Sequence, residues 1–298
     1  MADIKKLEKL AKLVRYYILR MTTKAGSGHA TSALSATDIM VALFFGKLRF
    51  DIKNPQNPNN DRVIFSKGHA SPLLYALWAA AGVLSEKELD AYRKFGSPLE
   101  GHPTPNFKYV EVATGSLGQG LSIGAGMALA LRQECQMWPK VYVLMGDSET
   151  AEGSVWEAIE LASYYKLDNL AGIIDVNRLG QSGQTMLGWN VDEYRRRIEA
   201  FDWEVYEVDG HDLGEICKTF DQIKVSNKPK MILAKTVKGK GVPFLEDKEG
   251  WHGIALNEEQ FEQTLKELGE IDRLVRGKIA LPSKLKSQNY NSKSKTSL

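Results

Sequence analysis

The sequence predicts an α/β fold in which a parallel sheet carries helices on both faces. From about residue 140, short β-rich runs alternate with helical stretches, a pattern typical of crossover units between parallel strands. The composition fits a packed globular protein, because 43% of the 298 residues are apolar and 26% are charged. We expect one domain over residues 1–280, followed by a polar tail.

Charge and cysteine content exclude several functional classes. The 39 Lys and Arg residues nearly balance the 37 Asp and Glu residues, and they are scattered along most of the chain. A nucleic-acid surface would show clustered basic residues, so we expect small molecules or proteins as partners. Cys135 and Cys217 are far apart and have no metal-ligand spacing, which favours reduced thiols in a cytoplasmic protein. We expect neither a membrane span nor a signal peptide, because no apolar run is long enough and residues 1–24 mix acids with bases.

Helix signals dominate the first third of the chain. Apolar residues repeat at steps of three and four over residues 4–21, which predicts a first helix that ends near Gly26. The segments 35–38 and 85–88 begin with Ser and end with Asp or Glu, and each predicts a capping box at a helix start. Residues 51–61 contain two Pro and four Asn and predict a loop.

The predicted sheet begins in the middle of the chain. The β-rich runs that predict its strands are residues 141–145, 170–176, 205–208 and 230–236. Helices are predicted between them at 154–166, 192–200 and 213–224, the first opened by a capping box from Ser154 to Glu157. Residues 284–298 are rich in Ser, Lys and Asn without a single acid, so we predict a disordered tail over 281–298.

The histidines share an unusual setting. Four of the five directly follow a Gly, and the fifth precedes one; they are His29, His69, His102, His211 and His252. A Gly neighbour permits tight turns and close ligand approach, so these imidazoles are expected to project into a cleft. A neutral imidazole donates and accepts hydrogen bonds, and its ordinary pKa suits proton transfer. A turn histidine satisfied by backbone is the alternative for any single one, but the recurrence favours a shared site.

A glycine-rich loop predicts an anion site. Residues 115–126 contain five Gly and run into a predicted helix that ends near Leu131. Such a loop before a helix presents unpaired N–H groups and the positive end of the helix dipole, for which pyrophosphate is a natural ligand. The glycine spacing differs from the dinucleotide-binding fingerprint, which disfavours a nicotinamide cofactor. The alternative is that the glycines only allow close helix packing.

Polar residues follow two of the predicted strands. Asp147 comes directly after strand 141–145, and Asn177 follows the next strand 30 residues later, with Leu179 close behind. The carboxyl ends of strands are the usual ligand position in open α/β sheets. A carboxylate, an amide oxygen and a main-chain carbonyl are hard donors suited to Mg²⁺ or Ca²⁺ shared with phosphate oxygens.

This spacing of an acid and an Asn resembles the thiamine diphosphate signature, and the surrounding segments resemble transketolase. The resemblance covers about residues 5–270 in the family's own order. Its segments include Gly28-His29, Ser66-Lys-Gly-His-Ala70, Gly101-His-Pro103, Ala113-Thr-Gly-Ser-Leu-Gly-Gln-Gly120, Gly146-Asp-Ser-Glu149, Asp175-Val-Asn-Arg178, Val208-Asp-Gly-His211, Ala234-Lys-Thr-Val-Lys-Gly-Lys-Gly241 and Asp247-Lys-Glu-Gly-Trp-His-Gly253. It implies the thiamine diphosphate-binding fold of the diphosphate (PP) type.

The resemblance also implies a partner, because a usual transketolase chain has a pyrimidine-binding domain and a C-terminal domain besides. It implies a separate subunit carrying these domains, assembled as an α2β2 heterotetramer. Together the subunits would transfer a two-carbon glycolaldehyde unit from a ketose phosphate to an aldose phosphate in the pentose phosphate pathway. This chain would be active only with its partner. The alternatives are a related ketol transferase, an enzyme like deoxyxylulose-phosphate synthase, or a non-catalytic remnant that binds the cofactor.

Residue roles follow from the matched positions. The metal ion, Mg²⁺ or Ca²⁺, would be held by Asp147, Asn177 and the Leu179 carbonyl. The catalytic residues implied are His29, His69, His102, His252 and Glu152, the last at a subunit contact where buried acids couple cofactor sites. The residues implied to bind thiamine diphosphate are Ser32, His69, Gly115, Ser116, Leu117, Asp147, Ser148, Glu152, Asn177, Leu179, Lys238 and His252.

Two positions depart from the family pattern, and one histidine has no role in it. Ala30 stands where many relatives have Pro, which we expect to change turn rigidity only slightly. Ser148 stands where relatives commonly have Gly, and it places a hydroxyl beside the expected diphosphate site. The resemblance gives His211 no catalytic role, so we expect a turn histidine bonded to backbone.

Overall fold

Five parallel strands form one sheet in the computed structural model, which describes residues 3–134, 139–223 and 226–282. The strand order is β1-β2-β3-β5-β4. The strands are β1 (Arg62–Phe65), β2 (Val141–Gly146), β3 (Leu170–Val176), β4 (Glu204–Asp209) and β5 (Lys230–Lys235). Four of the five were predicted; β1 was missed.

Helices connect the strands and cover the sheet. They are α1 (Ile4–Ala25), α2 (Ala30–Ser35), α3 (Thr37–Ala42), α4 (Ser71–Ala80), α5 (Glu86–Leu89), α6 (Gln119–Glu134), α7 (Gly153–Tyr164), α8 (Val191–Glu199), α9 (Leu213–Gln222) and α10 (Glu258–Leu268). A π-helical turn extends α3, and 3₁₀ turns precede α4 and α7. None of the helices in these three described segments is both long and apolar enough to cross a bilayer.

Successive strand residues point to opposite faces of the sheet, and both faces are buried. Leu144 and Ile173 pack in a core cluster with α1 to α4 and α9. Val143 and Ile174 pack in a second cluster with α6, α7 and α8. Burying one large aliphatic side chain contributes roughly 1.5–3 kcal/mol. The predicted α/β class with helices on both faces is therefore confirmed.

The strand register brings the expected site together. Gly146 of β2 pairs with Asp175 of β3, and Asp175 pairs with Ala234 of β5. Because these strands are parallel, their carboxyl ends lie at one edge, where the chain continues into Asp147, Asn177 and the turn after β5.

The predicted helix starts had mixed outcomes. Asp3 caps α1, Gly26 ends it at φ 58°, and Ser85 forms the predicted capping box of α5. The boxes at Ser35 and Ser154 were wrong, because both hydroxyls make tertiary hydrogen bonds instead. Ser35 Oγ donates to the Asp175 carboxylate at 2.6 Å, and Ser154 Oγ donates to the Gly118 carbonyl at 3.0 Å.

The loop between α3 and β1 is confirmed. Residues 51–61 form the predicted loop, closed by the Asn60 amide, which donates to the Asn54 and Pro55 carbonyls. Cys135 and residues 283–298 of the predicted tail lie outside the described residues.

Candidate active site

Three histidines from distant parts of the chain meet at the edge of the sheet. His29 precedes α2, His69 lies in the 3₁₀ turn after β1, and His252 lies in the loop after β5. Their ring centroids are 5.0 Å apart for His29 and His69, 4.9 Å for His29 and His252, and 5.3 Å for His69 and His252. The structure thus brings three of the five histidines together. His102 lies close by, with its ring against Gly115.

Burial keeps this histidine cluster neutral. It lowers the pKa of His29 to about 4, with a further effect from His102 and Arg93, and lowers the pKa of His252 to about 4, helped by Lys238. Burial also lowers the pKa of His69 well below its ordinary value. Near pH 7 these rings therefore carry one proton each and can both donate and accept. The buried Nδ1 of His29 has no hydrogen-bond partner among the described residues, so it is available to a ligand.

Lys238 links the histidines to the ends of the strands. Its Nζ donates to the carbonyls of Leu179 and Gly180, at 2.8 and 3.0 Å, and lies 3.1 Å from His252 Nδ1. Burial lowers the pKa of Lys238 to about 8, so the ammonium form dominates at neutral pH. An ammonium group only donates, so His252 Nδ1 accepts and the ring hydrogen resides on Nε2. His252 Nε2 is therefore a hydrogen-bond donor.

Asp147 lies buried at the end of β2, where Asn177 and Leu179 follow β3. Its carboxylate accepts the backbone N–H groups of Ser148 and Arg178, at 2.9 and 2.7 Å, and the Thr185 hydroxyl at 3.2 Å. Asn177 Oδ1 accepts the Leu179 N–H at 3.2 Å. Burial raises the pKa of Asp147 to about 6, and the nearby Asp175 adds to the effect. These three hydrogen-bond donors to Asp147 are all neutral, so the negative charge of the carboxylate remains available to a cation.

A buried ion pair supports this edge of the sheet. Lys67 and Asp175 are 1% and 0% exposed, and the Lys67 ammonium contacts the Asp175 carboxylate and the Ser32 carbonyl. Asn177 Nδ2 donates to the same carboxylate at 3.0 Å. The Thr236 hydroxyl also donates a hydrogen bond to this carboxylate. Sequence reasoning missed this network. The available signal was the charge of Asp175 within the otherwise apolar run of β3.

The glycine-rich loop is fastened by another buried carboxylate that the sequence reasoning missed. Glu149 Oε1 accepts the Gly118 N–H at 2.8 Å and the Ser66 hydroxyl, while Oε2 accepts the Gly146 N–H at 3.0 Å. The Gly120 N–H in turn donates to Ser66 Oγ at 3.1 Å. Glu149 therefore joins the loop before α6 to the end of β2. Burial raises the pKa of this carboxyl.

The other predicted cofactor residues occupy the surroundings of this loop. Gly115 lies against the His102 ring on one side and against Gly68, the residue before His69, on the other. A Cβ on Gly68 would lie 2.9 Å from the Gly115 nitrogen, so position 68 requires glycine. Ser116 and Ser148 are exposed, Leu117 is half-buried, and Ser32 is buried. Glu152 is exposed at the start of α7, beside Gly118.

His211 lies outside this cluster. Its Nε2 accepts the Val237 N–H at 2.8 Å, so the expected backbone bond is present, but its Nδ1 also contacts Asp38 at 2.8 Å.

We expect the free energy of unfolding to rise from pH 4 to pH 6.5 when metal is absent. His29, His69 and His252 have pKa values lowered by folding, so in this window the unfolded chain binds more protons and stability grows with pH. Asp147 opposes this trend, because its pKa is raised to about 6 and folding takes up a proton there. Urea unfolding across this pH range measures the slope. His29→Gln should make the slope shallower, and an unchanged slope would contradict the neutral cluster.

Comparisons with known proteins fit this geometry. The family profile described as "Transketolase, thiamine diphosphate binding domain" matches residues 7–291. The chain belongs to this transketolase family. The resemblance drawn from the sequence is therefore confirmed, as is the thiamine diphosphate-binding class of the domain.

Individual transketolases align over most of the chain. Human transketolase is 49% identical over 269 residues, which cover 89% of this chain and 43% of the human protein. A Phocaeicola vulgatus protein, named as one of the subunits of an apulose-4-phosphate transketolase, is 39% identical over 269 residues, covering 90% of this chain and 95% of that protein. The Campylobacter jejuni transketolase structure superposes with a TM-score of 0.85 at 36% identity, covering 93% of this chain and 45% of that one. The chain thus spans less than half the length of the human relative.

Proposed function

We propose that residues 1–280 are the diphosphate-binding domain of a transketolase that needs a separate pyrimidine-domain subunit. In this proposal the assembled enzyme transfers a two-carbon ketol unit from a ketose phosphate to an aldose phosphate. The observation that carries it is the junction at Lys238, whose Nζ contacts both the Leu179 carbonyl and His252. It joins the candidate metal ligands to the histidine cluster within one site.

The residues fit thiamine diphosphate and a hard divalent cation. Asp147, Asn177 and the Leu179 carbonyl supply oxygen donors from adjacent strand ends, as Mg²⁺ or Ca²⁺ prefers. Gly115, Ser116 and Leu117 precede the N-terminus of α6, where N–H groups and the helix dipole favour phosphate. We propose that these groups hold the cation and the diphosphate.

The protein residues would orient the sugar and manage protons. Bound thiamine diphosphate supplies a nucleophilic carbon and an electron sink for cleaving a carbon–carbon bond next to a carbonyl. His252 Nε2 can donate a hydrogen bond to an oxygen on which negative charge develops. His29 and His69 are neutral, so they can accept a proton from a sugar hydroxyl or return one. His102 is exposed beside the cluster and would contact the more distant part of the sugar.

The surface of α7 supports the proposal of an assembly. Leu161, Tyr164 and Tyr165 at its C-terminal end are 53%, 76% and 45% exposed, and neighbouring exposed apolar side chains of this kind are typical of protein–protein contacts. Glu152 lies at the start of the same helix. We propose that α7 faces a subunit contact in an α2β2 heterotetramer. The match to the Phocaeicola vulgatus protein over 95% of that protein's length supports the separate partner.

The test is reconstitution. We expect the chain alone to have no ketol-transferase activity, and we expect activity after mixing with a pyrimidine-domain subunit, Mg²⁺ and thiamine diphosphate. With xylulose 5-phosphate and ribose 5-phosphate as substrates, mass spectrometry should detect a seven-carbon sugar phosphate, as a cytoplasmic pentose phosphate enzyme would produce. Apulose 4-phosphate belongs in the same substrate panel, because a relative is named for it.

The controls separate the possible outcomes. The partner without this chain must be inactive, and the complex must be verified by size-exclusion chromatography. A verified complex that binds thiamine diphosphate but transfers no ketol unit to any sugar phosphate would overturn the proposed reaction. A verified complex that fails to bind thiamine diphosphate would overturn the cofactor site as well.

A further inference from the structure

A buried charged triad lies behind the site, on three elements other than those that carry the histidine cluster. The Arg15 guanidinium of α1 binds the Asp38 carboxylate of α3 through two hydrogen bonds, at 2.9 and 2.6 Å. His211, which follows β4, places Nδ1 2.8 Å from Asp38 Oδ2. The side chains of Arg15, Asp38 and His211 are 10%, 8% and 14% exposed. Burial opposes ionisation of Asp38, but Arg15 and His211 hold its pKa at about 2.

The hydrogen bonds fix the tautomer of His211. The Val237 backbone N–H donates to Nε2 at 2.8 Å, so that nitrogen must be an acceptor. The ring hydrogen is therefore on Nδ1, where it points at the Asp38 carboxylate. The carboxylate orients the imidazole and makes its far nitrogen a better acceptor. Through His211 Nε2, the triad thus accepts a hydrogen bond from the Val237 backbone N–H group.

That N–H group belongs to the turn that carries Lys238. Arg15 also reaches this turn, because its Nε donates to the Lys240 carbonyl at 3.1 Å. The Gly239 N–H donates to the Thr31 carbonyl, also at 3.1 Å. The triad therefore holds the turn on both sides of Lys238, while Lys238 reaches the Leu179 and Gly180 carbonyls and His252.

We propose that His211 is a positioning residue that fixes the Lys238 turn, and that Asp38 and Arg15 act through it. The triad sets the distance between the Lys238 ammonium and the strand ends without touching the reacting groups. This inference rests on the proposed function, in which Lys238 lies at the diphosphate-binding site. It gives a role to the one Gly-His pair that the resemblance left without one.

Two substitutions of His211 distinguish a role in positioning the Lys238 turn from a role in satisfying the buried Asp38 carboxylate. In His211→Gln the amide oxygen can lie near the original Nε2 and accept the Val237 N–H. In His211→Asn the shorter amide lies near the original Nδ1, so it can satisfy Asp38 but leaves the Val237 N–H unpaired. A buried unpaired donor is unfavourable enough to displace the turn.

The experiment compares both variants with the wild type in the assembled complex. We expect His211→Asn to weaken thiamine diphosphate binding about tenfold in the presence of Mg²⁺, and His211→Gln to stay within about threefold. Hydrogen exchange gives a readout that needs no activity: the Val237–Lys240 amides should exchange about tenfold faster in His211→Asn and near the wild-type rate in His211→Gln. Thermal unfolding identifies a variant that fails to fold, and the exchange comparison is then made with Asp38→Asn.

Two results would overturn the positioning role of His211. Equal cofactor affinity and equal exchange rates in the two His211 variants would overturn the positioning role. Better retention by His211→Asn would show that satisfying Asp38, rather than Val237, is what matters, and would also overturn it. Failure of the wild-type complex to bind thiamine diphosphate overturns the proposed function instead, and the exchange data still test the turn.

Discussion

Asp147→Ala is expected to abolish metal-dependent binding of thiamine diphosphate, lowering its affinity by at least about 100-fold. Mutating a residue that merely orients a metal ligand lowers metal affinity by about 10- to 100-fold. Asp147 is a proposed ligand itself, and the one carboxylate among the proposed ligands, so we expect its loss to cost at least as much. Its neighbours, the Asn177 amide and the Leu179 carbonyl, are neutral and cannot replace its charge. Calorimetric titration of the assembled complex with thiamine diphosphate at saturating Mg²⁺ measures the loss.

The loss should not come from unfolding. Burial and Asp175 raise the pKa of Asp147 to about 6, so its charge does not stabilise the folded chain when metal is absent. Asp147→Ala also leaves the Arg178 N–H and the Thr185 hydroxyl without their acceptor, so we expect the metal-free variant to unfold at a lower temperature than the wild type but to remain folded at the assay temperature. Asp192→Ala, on the exposed surface of α8, is the matched control and should bind normally. Affinity within about threefold of wild type in Asp147→Ala would refute the metal assignment.

His29→Ala is expected to lower kcat of the reconstituted enzyme by about 100- to 10,000-fold, the range for losing a group that transfers protons. The His29 ring packs against the rings of both His69 and His252, and its Nδ1 makes no hydrogen bond within the described part of the chain. Replacing His29 therefore breaks no hydrogen bond between its Nδ1 and the described residues. Steady-state kinetics with a ketose phosphate donor, combined with a separate titration of thiamine diphosphate, distinguishes turnover from cofactor binding.

The two measurements should separate clearly. We expect the dissociation constant of thiamine diphosphate to change less than about tenfold while kcat falls. His29→Gln keeps a polar group but cannot take up a proton near neutral pH, so it should be almost as impaired. A kcat within about tenfold of wild type in His29→Ala would contradict a role in proton transfer. A parallel fall in affinity and kcat would instead indicate a role in holding the cofactor.

The sequence predicts best what is local or periodic. Alternating β-rich and helical runs identified β2 to β5, and the acid-to-Asn spacing correctly placed Asp147 and Asn177 at the ends of adjacent strands. Strand β1 has four residues, of which two are only half-buried, and gives little periodic signal. The prediction fails where a side chain is claimed by a distant partner. Ser35 bonds to Asp175, 140 positions away, instead of capping a helix.

Buried polar groups far apart in sequence are the hardest to foresee. Lys67 and Asp175 are separated by 108 positions, and Ser66 and Glu149 by 83. No local pattern pairs them, because their contact exists only once the sheet and its flanking turns are assembled. His211 illustrates the same limit: its backbone bond was expected from the turn, but Asp38 was not.

Glu149 has a consequence for how ligands bind. The Glu149 carboxylate accepts hydrogen bonds from the loop before α6 and from the last residue of β2, so the protein itself fixes the proposed phosphate-binding segment relative to the proposed cation-binding segment. A ligand entering such a preorganised cradle loses little free energy to ordering it.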